Sequence, residues 1–334
     1  MQKRERLIEF LNKPSIIGYA AVGGNDEKQG PLGGYFDYIF TDQLAGKESW
    51  EQAESELQKT AVNLAVKKAN INNEDIGAIF AGDLLNQCVG STFGLMDYKI
   101  PLVGLYGACS TMALSMIVST TFVDGGYLDN AVAVTSSHFC SAERQFRFPL
   151  EYAGQRPPTS QKTVTASGAV VVSKSKSNVI INRALIGKTV DFGIKDANNM
   201  GAAMAPAAAD TILEFLRATN GSPDDYDKIF TGDLGRIGSE LLQDLCQKQG
   251  VDLSKKHCDC GLLIYDLIKQ NVDSGGSGCG CSASVLCTHI LNKLKVGEYK
   301  NILFCATGAL LSPTTVQQGE NIPSIAHIVE IKSH

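Results

Sequence analysis

One cysteine stands where a nucleophile would be placed. Cys109 follows Tyr106-Gly107-Ala108 and opens the small or apolar run from Ser110 to Val123. The run predicts a helix, and a thiol at a helix N-terminus meets free N–H groups and the positive end of the macrodipole. Both favour the thiolate and lower the thiol pKa, and the same N–H groups can form an oxyanion hole. The competing reading is an ordinary buried thiol. A second segment of this kind is Gly275-Gly276-Ser277-Gly278-Cys279-Gly280-Cys281-Ser282, which precedes another predicted helix. It lacks the Gly-Lys-Ser/Thr of a phosphate loop. Its glycines suit either a tight turn with positive φ or a pocket wall. On the second reading Gly278, Cys279 and Ser282 are candidate binding residues.

The chain has ten cysteines and five histidines. With no export signal visible, the cysteines read as reduced thiols of a cytosolic compartment. His257-Cys258-Asp259-Cys260 hints at a metal knuckle, but the C-x2-C spacing is absent, so no metal site is expected. The formal net charge of −5 gives no basic field for nucleic acid or anionic lipid. No apolar run reaches the ~18 residues of a membrane span, and the opening MQKRERLIEFLNKP lacks a secretory core.

The elements that must position these residues occur twice. AVNLAVKKANINNEDIGAIFAGDLL from Ala61 matches TILEFLRATNGSPDDYDKIFTGDLG from Thr211, an offset of 150. Each reads as amphipathic helix, acidic turn, apolar strand and Gly-Asp-Leu. Cys109-Ser110-Thr111 then pairs with Cys281-Ser282-Ala283 at an offset of 172, each beginning a helix that leads through a Gly turn into a strand. Helices alternating with β-branched strands predict an α/β protein with buried sheets. Two pseudo-equivalent halves follow, 1–175 and 176–334, with a connection rich in Arg, Gln and Pro over 138–165. The site is expected where the halves meet. Asp83 and Asp233, repeated at strand ends, read as structural caps, one of which can reach the pocket. Gly23 to Gly34 reads as a mobile loop.

Two αβαβα halves with Gly-Ala-Cys-Ser in the first resemble the thiolase superfamily, ketoacyl synthases included. The sequence resembles more closely a non-typical branch, the stage V sporulation protein AD family of spore-forming bacteria. The resemblance rests on Gly34-Tyr35-Phe36-Asp37, Tyr106 to Thr111, Thr135-Ser136-Ser137-His138-Phe139, Ala142 to Pro149 (AERQFRFP), Gln155-Arg156-Pro157-Pro158 and Gly275 to Ser282, and spans essentially the whole chain. It implies a thiolase-like fold and a homodimer. It further implies binding, without turnover, of dipicolinic acid (pyridine-2,6-dicarboxylate) or its calcium chelate for uptake into the developing spore. Integral-membrane sporulation proteins of the same operon would be partners, with the chain peripheral to the spore inner membrane on its cytoplasmic side and no resident cofactor.

The superfamily's chemistry offers an alternative, a ketoacyl-synthase-type acyltransferase with Cys109 as thioester nucleophile. A condensing enzyme also needs a base or acid for the carbon-centred step, usually His. The initiating synthases carry His-Gln-Ala-Asn before Arg-Ile. Here Arg236-Ile237 follows Thr231-Gly232-Asp233-Leu234-Gly235. Thiolases carry Gly-His-Pro in the glycine-rich turn, which here reads Gly278-Cys279-Gly280. Standard Claisen chemistry therefore looks lost.

A planar dicarboxylate calls for bidentate cations, for which Arg suits better than Lys. Arg144, Arg147 and Arg156 lie within 13 positions, among Glu143, Glu151, Phe139, Phe146, Phe148 and Tyr152. The aromatic rings can sandwich a pyridine, the carboxylates can answer calcium or pair with the arginines, and His138 closes the set. The N–H groups behind Cys109 would hold a carboxylate in what was an oxyanion hole.

Overall fold

The computed structural model describes residues 6–146 and 156–334. Its first five main strands are β1 (Ser15–Gly23), β2 (Ala78–Gly82), β3 (Leu102–Gly104), β4 (Asn130–Ser137) and β5 (Ala166–Ser173). Helices α1 (Trp50–Ala69), α2 (Val89–Leu95), α3 (Thr111–Asp124) and α4 (Phe139–Phe146) fall between them. Strands β6 (Val179–Leu185), β7 (Lys228–Thr231), β8 (His257–Asp259), β9 (Asn301–Ala309) and β10 (Ser324–Ser333) follow, with α5 (Met200–Thr219), α6 (Gly235–Gln247) and α7 (Cys279–Val285).

The strand order is β8-β7-β9-β10-β6-β1-β5-β4-β2-β3. Outward from the centre it reads 1-5-4-2-3 on one side and 6-10-9-7-8 on the other, the same path with every strand number raised by five. Directions repeat too. β2 runs parallel to β3 and β4, as β7 does to β8 and β9, while β5 and β10 are antiparallel to both neighbours. The two sides join through a single pair, Ser15 with Ile180.

Local chemistry follows the repeat. Helix α1 starts on Ser49, whose hydroxyl accepts the Gln52 N–H, and stops on Asn70 in the left-handed conformation. Helix α5 starts on Asn199, which accepts the Ala202 N–H, and stops on left-handed Asn220. Asn tolerates that region better than most residues, so the stop is written in sequence. Capping boxes Asn72/Asp75 and Ser222/Asp225 then turn each chain into its strand.

Helices α1 and α2 cover one outer face and α5 and α6 the other, with α3 and α7 between the two sheets. This is the αβαβα arrangement. Within α3, Met112, Ala113, Met116 and Ile117 are at most 2% exposed, and each large one contributes roughly 1.5–3 kcal/mol by burial. Phe122, near the C-terminal end of α3, is 41% exposed. Helix α7 begins at Cys279, two residues earlier than the repeat suggested, and continues through a π-helical turn, Leu286–Ile290, into Leu291–Lys295. The expected mobile loop after β1 contains a short helix, Asn25–Gln29, and a 3-10 turn, Gly33–Tyr35.

Candidate functional site

Cys109 sits in a tight turn before α3. Ala108 has φ 50°, and the N–H groups of Ser110 and Thr111 bond back to the carbonyls of Gly107 and Ala108 at 3.1 and 3.2 Å. Two first-turn donors are therefore spent on the turn itself. Gly308 of β9 presses on the same backbone. A Cβ there would lie 2.3 Å from Gly107 O and 3.1 Å from Cys109 N, so only glycine fits.

Opposite the thiol lies Asp233, just past the end of β7. Its Oδ1 accepts the Thr307 hydroxyl at 2.9 Å and its Oδ2 accepts the Gly278 N–H at 2.9 Å. The same carboxyl acts electrostatically on the Cys109 thiol. Gly278 holds φ +107°, and a Cβ there would meet Ser137 Oγ at 2.6 Å. Cys279, fully buried, donates its thiol to Ser136 O at 2.9 Å. The structure thus brings Cys109, Gly278 and Cys279 together from both halves, around Asp233, one of the two repeated carboxyls read as strand caps of which one can reach the pocket.

The electrostatics reverse the expectation for Cys109. Burial, then the adjacent Asp233 and Cys279, push its thiol well above the usual range. Helix-end stabilisation of an anion is ~0.3–1 kcal/mol, whereas full burial moves a group by several pKa units, so burial wins. Burial likewise raises Asp233 to about 7. None of the five histidines takes the place of the missing base. His138 bonds Gln43 O through Nε2 at 2.8 Å and accepts the Cys140 N–H at Nδ1. His257 bonds Thr231, and burial lowers it to about 4. His327 accepts the Gly187 N–H, and burial lowers it to about 4. His289 packs edge-on to Phe230 and Tyr299, and His334 is the last residue.

The cavity at Cys109 measures about 40 Å³ and is walled mainly by Leu84, Ala142, Phe146, Met200 and Leu311, with Glu143 beside them. That volume holds a water or two, and none of the described residues that wall it is a cation.

The remaining predicted residues divide. Arg144 pairs with Glu51 and lies over the Trp50 ring, 5.4 Å from its centroid, away from the Cys109 cavity. His138 lines a different cavity, and its ring nitrogens are spent on backbone. Ser282 lies buried inside α7 and bonds back to Cys279 O. Arg147 and its neighbours Phe148, Glu151 and Tyr152 lie outside the described residues.

Arg156 lies at the wall of another cavity. Its guanidinium sits 4.9 Å from the Phe139 ring centroid, pairs with Glu143 at 3.0 Å and donates to Gln161 O at 2.9 Å. Lys162, which no motif marks, shares that ring at 5.9 Å, lies 5.4 Å from the Tyr265 ring and pairs with Asp26 at 2.5 Å. Arg156, Lys162, Phe139, Ser160, Gln270 and Asn271 line an open, mostly polar cavity of about 530 Å³, with Asp273 at its edge. Among the described residues, no three His, Cys, Asp or Glu side chains converge as a metal centre requires, and no helix is long and apolar enough to cross a membrane.

Similarity to known proteins agrees with this picture. The family model for stage V sporulation protein AD matches residues 4–332. Stage V sporulation protein AD of Bacillus subtilis is 48% identical over 315 residues, covering 94% of this chain and 93% of that protein. Among solved structures, 3-oxoacyl-[acyl-carrier-protein] synthase III from Aquifex aeolicus superposes with a TM-score of 0.60 at 14% identity, covering 96% of this chain and 99% of that one. A variant of OleA from Xanthomonas campestris superposes with a TM-score of 0.60 at 16% identity, over 97% and 99%. These structures share the thiolase-like fold, and the chain belongs to the stage V sporulation protein AD family.

Proposed function

We propose that the chain binds dipicolinate, free or as its calcium chelate, without turnover, and that the ligand sits in the Arg156 cavity rather than against Cys109. One observation carries this reading: Arg156 and Lys162 both lie on the ring of Phe139 at the wall of a roomy polar cavity. A guanidinium has five N–H donors in a planar fork, and the contacts to Glu143 and Gln161 use two of them. The rest suit a carboxylate, Lys162 suits the second, and the aromatic ring suits the pyridine face. Calcium would enter as part of the ligand, with Asp273 at the cavity edge offering one of the 6–8 oxygens it prefers. Against Cys109 a dianion would face Glu143 in a cavity of about 40 Å³.

The acyltransferase alternative requires a thiolate at Cys109 and a base beside it. Burial opposes the first, and the carboxyl of Asp233 replaces the second. Calorimetry tests both readings. Saturable heat with dipicolinate, in the presence or absence of calcium, supports binding. No heat under either condition, together with acylated Cys109 after incubation with acyl-CoA, overturns it.

We further propose a homodimer through the exposed edge strand β3. Val103 in it and Tyr106 just after it, with Phe93 on neighbouring α2 and Met96 just past that helix, leave an apolar surface at that edge. Light scattering reports the mass directly. Within a sporulating cell the chain would act against integral-membrane sporulation proteins, peripheral to the membrane of the developing spore on its cytoplasmic side.

A further inference from the structure

The short helix Asn25–Gln29 places one carboxyl that neither the Cys109 turn nor the Arg156 cavity uses. Glu27 is 1% exposed. Its Oε1 accepts the Thr165 N–H at 3.0 Å and the Tyr265 hydroxyl. Its Oε2 is buried without a hydrogen-bond partner. A buried polar atom left unpaired costs about 1–3 kcal/mol, so the fold keeps this oxygen at a loss.

Glu27 lines a second cavity of about 250 Å³. The lining carries three carboxyls, Asp26, Glu27 and Asp42, against one cation, Lys162. The Lys162 ammonium is already held by Asp26. His138 adds no charge, because its ring nitrogens are bonded to backbone and burial lowers its pKa. The other walls include Phe40, Leu57 and Phe139. The three carboxyls do not converge on one point, so a bare divalent ion has no shell here. An extended cation with an apolar body does fit. Its N–H satisfies Oε2, its charge favours the ionised form of Glu27, whose pKa burial raises, and its body lies against Leu57 and the aromatic rings.

We propose that this cavity is a binding site for a small organic ammonium, with Glu27 Oε2 as its hydrogen-bond acceptor. The site shares Phe139 and Lys162 with the Arg156 cavity, but its acceptor, Glu27, belongs to it alone, and its test contains no dipicolinate. The full chain is titrated with isopentylammonium chloride, with isopentanol and isovalerate as probes of the same shape without the positive charge. Methyl resonances of Ala53 and Leu57 are followed by NMR. The ammonium is expected to bind saturably, at least about tenfold tighter than either control, and to shift those two resonances. Glu27→Gln, which keeps an acceptor for Tyr265 and Thr165, is expected to weaken it at least about tenfold, as for a hydrogen bond to a charged group. Equal binding of the alcohol, shifts confined to other methyl groups, unchanged affinity in Glu27→Gln, or no saturable binding would each overturn the proposal. If Glu27→Gln does not fold, the probe comparison and the resonance map on the native chain still decide it.

Discussion

Replacing Asp233 by Asn should make Cys109 more reactive, not less. In a Cys-His enzyme the neighbouring polar group activates the thiol, whereas here it is an acid whose charge opposes the thiolate. A free cysteine near pKa 8.5 is about 9% thiolate at pH 7.5, and each further unit lowers that tenfold. Cys109 lies well above its usual range, chiefly through burial and secondly through Asp233. Asp233 titrates near 7, so at pH 8 roughly nine-tenths of it is charged. Two unit charges about 5 Å apart at an effective dielectric near 20 interact by roughly 3 kcal/mol, or about two pKa units. Desolvation remains in the variant, so a gain of about tenfold in alkylation rate at pH 8 is the conservative expectation. The assay is iodoacetamide labelling followed by peptide mass spectrometry from pH 6.5 to 9.5, with the half-buried thiols Cys88 and Cys140 as internal comparators. Access to Cys109 is the same in both proteins, so their ratio isolates ionisation. The reasoning is refuted if native Cys109 labels as fast as Cys140 below pH 7.5, or if Asp233→Asn leaves the rate unchanged or slows it.

Other expectations follow from the same geometry. Arg144→Ala should leave dipicolinate affinity unchanged and cost at most about 1 kcal/mol in urea unfolding, because its partner Glu51 is a surface carboxylate. Arg156→Ala should weaken dipicolinate by tenfold or more in calorimetry, the worth of a charged hydrogen bond. Gly278→Ala should cost at least about 2 kcal/mol in thermal or urea unfolding, since its φ of +107° and the approach of Ser137 Oγ both exclude a Cβ. Burial and the neighbouring Asp83 raise Glu54 to about 8 in the folded chain, against roughly 4.3 unfolded. An acid raised on folding holds its proton in the native state after the unfolded chain has lost it. Its contribution to stability is therefore full below the unfolded pKa and is lost as pH rises through about 8. Comparing Glu54→Gln with the native chain between pH 5 and 8 should show a difference changing by up to about 1.4 kcal/mol per pH unit. Parallel stability curves would remove the basis for a protonated Glu54.

Much of the architecture is legible because it is written twice. The Asn that ends α1 and the Asn that ends α5 sit 150 positions apart, as do Asp83 and Asp233. The apolar run of α3 reports enclosure without any need to know its neighbours. Partners across the fold are what periodicity cannot report. Asp233 and Asp83 read as caps of which one can reach the pocket, and only the fold decides that it is Asp233 whose charge acts on the Cys109 thiol. Lys162 lies 136 positions from Asp26, with no local pattern to link them. Glu27 belongs to a glycine-rich segment that reads as a mobile loop, yet Tyr265 and Thr165 fix it inside. His138 and Arg144 adjoin the right strand, but the Gln43 carbonyl and Cys140 N–H claim the first and Glu51 the second. Residue type indicates what a side chain can bind, and the fold decides what it has already bound.

The account's central claim concerns where the ligand lies. A crystal structure of the full chain soaked with dipicolinate, with and without calcium, tests it most directly. Density for the pyridine ring against Phe139, with its carboxylates on Arg156 and Lys162 and Cys109 unmodified, is the predicted result. Density against the Cys109 turn, or an acyl group on its sulfur after a soak with acyl-CoA, would contradict it.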